Sequence, residues 1–216
     1  MATVTKEKTE IVIPALKLQI LELHIVGDSP LISHAWSEKA KLMMLQKQQK
    51  KATSAKEIRR PAVEFADSLY WLTPKPNLNN LTDEEAQEVL AEIIPKSKFG
   101  FPTLAFKAAA IDAAFQQGLV DKKTTLRGAI RVLDEFAKIE GTPTMREDIG
   151  RIGMGTADLR YRAEFKNWKT KLTVQFNVGA VSAEQVINVF NMGGFANGIG
   201  DWRPAKDGSF GTFHIE

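Results

Sequence analysis

Residues 158–178, Asp-Leu-Arg-Tyr-Arg-Ala-Glu-Phe-Lys-Asn-Trp-Lys-Thr-Lys-Leu-Thr-Val-Gln-Phe-Asn-Val, decide how the chain folds. Leu159, Tyr161, Ala163 and Phe165 alternate with Asp158, Arg160, Arg162 and Glu164. Leu172, Val174, Phe176 and Val178 alternate with Lys171, Thr173, Gln175 and Asn177. A period of two marks strands with one buried face, and the short break at Lys166-Asn-Trp predicts that the two runs form a hairpin. Downstream, Ser182-Ala-Glu-Gln is a capping box that opens a helix to about residue 192. A glycine-rich loop and a last strand over 208–215 follow.

Upstream, residues 125–140 read as strand, although Ile130, Leu133, Phe136 and Ala137 also fit a helix. Phe99-Gly-Phe-Pro-Thr leads into an alanine-rich helix over 104–117. Residues 14–26 are rich in Leu, Ile and Val and read as a long, mostly buried strand, closed by the turn signal Gly27-Asp28-Ser29-Pro30. Between these lie a basic helix capped by Ser37 and running to 52, a polar stretch over 53–60, a helix over 62–72 started by Pro61, and an acidic helix capped by Thr82-Asp-Glu-Glu. The order predicts an α+β domain with helices on one face of its sheet, spanning 1–216 as one unit with a helical insertion at 53–98.

Composition excludes several classes. With no cysteine among 216 residues, disulfide scaffolds, thiolate zinc sites and cysteine nucleophiles are removed together. No apolar run approaches the roughly 18 residues of a membrane span, and Met1-Ala-Thr-Val-Thr-Lys-Glu-Lys lacks the apolar core of an export signal, so the expected location is the cytoplasm, away from membranes. No G-x-x-x-x-G-K-[ST], H-E-x-x-H or G-x-S-x-G occurs, and no cofactor is expected. His24 and His214 fall within predicted strands. His34 lies in the loop after the first strand with Asp28 and Ser33 nearby, which makes Asp28 and His34 the candidates for acid–base or metal chemistry.

The net charge of +3 conceals segregation. From Trp36 to Arg60 there are eight basic residues, Lys39, Lys41, Lys47, Lys50 and Lys51 among them, against Glu38 and Glu57. From Leu81 to Ile94 there are five acidic residues and no basic one. Arg160 and Arg162 share a face of one predicted strand, Lys171 lies across the predicted hairpin, and Arg146 and Arg151 precede it. Rows of this kind suit a nucleic-acid backbone. In Gly193-Gly-Phe-Ala-Asn-Gly-Ile-Gly-Asp-Trp-Arg-Pro, glycines that let a backbone approach phosphate stand beside Trp202 and Arg203, a stacking surface and a guanidinium.

The first strand ending in Gly27-Asp28-Ser29-Pro30-Leu31-Ile32, the Phe101-Pro-Thr-Leu-Ala-Phe-Lys-Ala-Ala segment, and a last helix followed by Gly198-Ile-Gly200 and a strand resemble the RAMP superfamily, which includes the RNA-binding backbone subunits of CRISPR effector complexes. The resemblance implies a ferredoxin/RRM-like antiparallel sheet with helices on one face. It matches Phe101, Pro102, Thr103 and Lys107 to the segment that opens the first core helix, and Gly198 and Gly200 to the glycine-rich loop. It implies copies side by side, as a filament or ring, on single-stranded RNA or DNA. Asp28 stands where some members carry a cleaving aspartate. The continuation Asp201-Trp-Arg-Pro is similar to phage-encoded proteins of replication or recombination regions. The leading expectation is therefore a single-strand-binding homo-oligomer. A metal-dependent nuclease centred on Asp28 and His34, and an assembly subunit docking an acidic protein, are the alternatives.

Overall fold

The structure is a computed structural model that describes residues 15–50, 58–152 and 156–216. Its strands are β1 (Leu18–Gly27), β2 (Leu31–Ser33), β3 (Tyr70–Trp71), β4 (Phe99–Pro102), β5 (Ile130–Val132), β6 (Phe136–Ile139), β7 (Thr144–Ile152), β8 (Thr156–Phe165), β9 (Lys169–Asn177) and β10 (Phe213–Ile215). Its α-helices are α1 (Glu38–Gln48), α2 (Pro61–Asp67), α3 (Asp83–Ile93), α4 (Thr103–Gln116), α5 (Lys123–Ala129) and α6 (Ala183–Ala196).

A four-stranded sheet in the order β10-β1-β9-β5, antiparallel at every step, organises the molecule. With α4 between β1 and β5 and α6 between β9 and β10, the chain follows the βαββαβ path of a ferredoxin-like fold. Alternate residues Leu23 and Ile25 of β1 and Leu172, Val174 and Phe176 of β9 are buried in one core with Phe106 of α4 and Val186 and Phe190 of α6. The two helices lie against each other because Gly193 of α6 has no Cβ: one placed there would stand 2.5 Å from the Ala110 backbone nitrogen. The protein is thus α+β with antiparallel sheets. Two three-stranded sheets, β2-β8-β7 and β3-β4-β6, are built from the segments that leave this path between β1 and α4 and between β5 and β9.

The predicted hairpin is not formed. β8 pairs with β7, with Arg146 opposite Arg162 and Asp148 opposite Arg160, while β9 pairs with β1 from Leu18↔Asn177 to Val26↔Lys169. Alternation tells which side of a strand is buried but not which strand lies beside it. The break at 166–168 is a corner between two sheets, made by the buried indole of Trp168, whose Nε1 donates to the Ser29 carbonyl at 2.9 Å.

Other boundaries shift for local reasons. The first strand is buried on one side only: Leu18 and Ile20 are 50% and 61% exposed on the uncovered face. Residues 125–140 divide into the end of α5, then β5 and β6: the start is helical, while Ile130, Phe136 and Ala137, whose spacing also fits a helix, lie in the two strands. The last helix runs on to Ala196 and absorbs Gly193 and Gly194, and the last strand shortens to Phe213–Ile215. Among the described residues, no helix is long and apolar enough to cross a membrane.

A Cβ on Gly27 would fall on the Trp168 indole, which is held by Ser29 and by edge contacts with Phe106 and Phe213 at 6.4 and 6.3 Å between ring centres. Gly27→Ala is expected to lower stability by about 3 kcal/mol. Gly128→Ala, in a helix and with open space around it, should raise stability by about 0.5 kcal/mol. Urea unfolding followed by circular dichroism reads both.

Candidate nucleic-acid interface

RRM domains stack bases on aromatic residues of their open sheet face. Here that face presents Ile20 beside Gln175, Glu22 beside Thr173 and His24 beside Lys171 on the central strands. It offers no Phe, Tyr or Trp on those strands, and Lys171 is paired with Glu22 at 2.8 Å. Lys171 therefore sits in a different sheet from Arg160 and Arg162, not across a hairpin from them.

The arginines of the β7–β8 hairpin are bound within the protein. Arg162 is 4% exposed, and its Nε stands 3.1 Å from the Asp201 carboxylate. Arg146 pairs with both Asp148 and Glu164 at 2.8 Å and lies over the Phe210 ring, 4.6 Å from its centre. Arg160 pairs with Asp158 at 3.3 Å. In place of a solvated arginine row, Arg146 and Arg162 are held in largely enclosed ion pairs and Arg160 in a partly exposed one. The reason is that β8 is covered on both sides from residue 162 onward, where Arg162 and Glu164 are buried as well as Ala163 and Phe165. The side chain of Arg151 lies outside the described residues.

The glycine-rich loop is packed rather than open. Ile199 N–H donates to Gly211, Asp201 N–H to Ile32 and Gly198 N–H to Gly193, so these amides are already engaged. Gly198 and Gly200 have φ of 60° and 79°, and a Cβ on Gly200 would come within 2.5 Å of the Ile32 carbonyl oxygen. Both glycines serve left-handed backbone, and Gly200 also close approach to β2. Arg203 donates to the Gly200 carbonyl at 2.9 Å, while Trp202 is 42% exposed beside it.

The two candidate catalytic residues take different partners. Asp28 pairs with His214 at 2.6 Å and His34 with Asp201 at 2.9 Å. Burial works against ionisation of Asp201, but the His34 hydrogen bond and the charges of Arg162 and Arg203 outweigh it and hold the carboxyl below its ordinary value. Among the described residues, no three His, Asp or Glu side chains are grouped closely enough to hold a metal ion.

Cations without an ion pair to a described residue lie elsewhere. Lys107, on α4, donates to the Arg127 carbonyl at 3.2 Å, and its ammonium is pushed below the ordinary lysine value by burial and by the guanidinium groups of Arg131 and Arg127. These three residues converge from α4, α5 and β5. Lys107 was marked by the family resemblance; Arg127 and Arg131 were not, although Lys122, Lys123, Arg127 and Arg131 against Asp121 form a second basic run that a charge count reveals. Nearby, Leu104 and Phe115 of α4 are 71% and 42% exposed.

The basic helix α1 projects. Leu42, Met43, Met44 and Leu45 are 55%, 45%, 46% and 48% exposed at four successive positions, so apolar surface wraps most of the axis. Lys41 pairs with Glu38 at 2.6 Å, Lys47 and Lys50 are exposed, and Lys51 and the side chain of Lys39 lie outside the described residues.

No protein-family model matches the chain, and no curated protein does. Among solved structures it is similar to Cmr6 from Pyrococcus furiosus, at 11% identity and a TM-score of 0.36, over 94% of this chain and 100% of that one.

Because Arg162 is a buried structural cation, Arg162→Ala should cost about 2 kcal/mol, below the roughly 3–5 kcal/mol of a fully broken buried pair because Asp201 keeps His34, whereas Arg160→Ala should cost less than about 0.5 kcal/mol. Because the Asp201 carboxyl is depressed, its contribution is full above the ordinary aspartate range and is lost as pH falls through and below that range. Asp201→Asn should therefore flatten the acid limb of a stability–pH curve.

Proposed function

We propose that the chain binds a single strand of RNA or DNA through its sugar–phosphate backbone along the flank of α4 where Lys107, Arg127 and Arg131 meet. The observation that carries this reading is the convergence of three cations from three elements with no described counter-ion. Like charges held together cost free energy, and a phosphodiester among them removes that cost and gains charge-assisted hydrogen bonds. Phe115 on α4 and Trp202 on the loop after α6 are exposed rings on which unpaired bases of the strand can stack.

Membership of the RAMP superfamily belongs to the same proposal. The βαββαβ path and the glycine-bearing segment between α6 and β10 support it. Assembly of copies side by side on the strand is a further part of the proposal. The exposed apolar girdle of α1 carries basic residues, while α3 presents Glu84, Glu85, Glu88 and Glu92 to solvent with no basic residue in the helix, a complementary surface for a neighbouring copy.

Three phosphate contacts on a single strand should give a plot of log affinity against log salt with a slope of at least about −2 in magnitude. Substituting Lys107, Arg127 and Arg131 by Ala one at a time should remove about 0.7 of slope each. Arg160→Ala should leave the slope unchanged. Fluorescence anisotropy with a labelled 20-nucleotide strand measures this; binding that ignores salt, or a triple variant with the parent's slope, contradicts the reading.

A further inference from the structure

We infer that Trp36 pairs with Trp202 as a second stacking platform, so that two unpaired bases of the bound strand are held beside the cleft between α4 and the loop after α6; this rests on the single-strand reading above. Of the four tryptophans, Trp36 is the most open, at 60% exposed. Trp168 is buried, and Trp71 donates Nε1 to the Ala66 carbonyl at 2.8 Å and packs edge-on against Phe99, ring centres 5.0 Å apart. Trp36 and Trp202 are brought to the same place by one contact. His34 Nδ1 and the Asp201 carboxylate meet at 2.9 Å, and both residues line the cleft. Trp36 follows His34 by two positions and Trp202 follows Asp201 by one. Even with both short segments fully extended, the Cα atoms of the two tryptophans stand no more than about 20 Å apart.

Both rings stand on backbone that is pinned. Ala35 N–H donates to the Ser68 carbonyl at 2.9 Å, and the Ser37 side chain caps α1 by accepting from Ala40 N–H at 3.0 Å, so Trp36 is fixed from either side. The Trp202 carbonyl accepts from Phe210 N–H at 3.0 Å, and Arg203 donates to the Gly200 carbonyl at 2.9 Å. Trp202 has a φ of 54°, a left-handed conformation that bulky residues rarely enter. Glycine would sit there without strain, and strain of this kind gathers at ligand clamps. A large apolar ring left in water on a fixed backbone takes a base without further ordering of the chain. The cationic site lies within reach across α4. At about 100° per residue, Lys107 is on the opposite side of the helix from the cleft-lining Ala105, and the exposed Leu104, Ala108 and Phe115 form the ridge between them. A strand leaving the cations over this ridge arrives at the two indoles.

Unlabelled single strands added to the full chain should quench its tryptophan emission, since the exposed indoles are the ones a base can cover. Trp36→Ala and Trp202→Gly, the latter compatible with the left-handed backbone, are each expected to weaken binding at least about fivefold, the lower end for one lost base–aromatic stack. The salt slope should stay at the parent value, because no phosphate contact is removed. Trp36→Phe, which keeps a ring, should bind within about twofold of the parent. Salt-dependent binding by the parent without quenching, or parental affinity in either ring-less variant, overturns the stacking pair while leaving backbone binding intact. A Trp36→Ala variant that changes only self-association, read by light scattering, overturns it too and assigns that indole to a protein contact beside α1. Absence of salt-dependent binding by the parent overturns both readings.

Discussion

The indole of Trp168 is the constraint on which the rest of the structure depends. The chain leaves the outer sheet at Phe165 and enters the four-stranded sheet at Lys169, and between them Trp168 is 2% exposed. Its Nε1 is anchored to Ser29, its carbonyl accepts from Gly27 N–H at 2.9 Å, and its ring meets Phe106 of α4 and Phe213 of β10. One side chain thus fixes the end of β1, the start of β9, the first core helix and the last strand. The turn at 27–30 and the loop at 198–203 are positioned from this point, the latter through the contact of Asp201 N–H with Ile32.

Fixing these segments determines which charges are free. Once β2 lies beside β8, Arg162 and Glu164 are enclosed, and burial of a charge requires a partner. Asp201 meets Arg162, and Arg146 meets Glu164 and Asp148. Ion pairs of this kind hold an interface together and leave little for a ligand. Lys107, Arg127 and Arg131, on α4, α5 and β5, meet no such acids among the described residues. What the small net charge of +3 hides is this division between cations used for folding and cations left over.

Much of the path was legible in the sequence. The strands at β1, β8 and β9, the capped helices α3 and α6, and the alanine-rich α4 follow from periodicity and capping, which are local signals. Pairing partners were not legible, because Leu159 to Phe165 and Leu172 to Val178 alternate equally well whether they face each other or join different sheets. Glycines between 193 and 200 read as an open phosphate loop because sequence shows the absence of a Cβ but not the backbone that occupies its place. Arg162 read as a surface cation because it alternates with apolar residues along its strand; the tertiary placement of Asp201, its ion-pair partner, has no local signal. The pairing of His34 with Asp201, 167 residues apart, has no local signature.

The central claim is that the strand lies on the α4 flank and not on the open sheet. Photo-crosslinking of a bound single strand carrying reactive nucleotides, followed by peptide mapping, tests it most directly. The account predicts adducts in peptides from residues 103–132 and around Trp202. Adducts concentrated on the exposed face of β1 and β9, at residues such as Ile20, His24, Thr173 or Gln175, would contradict it.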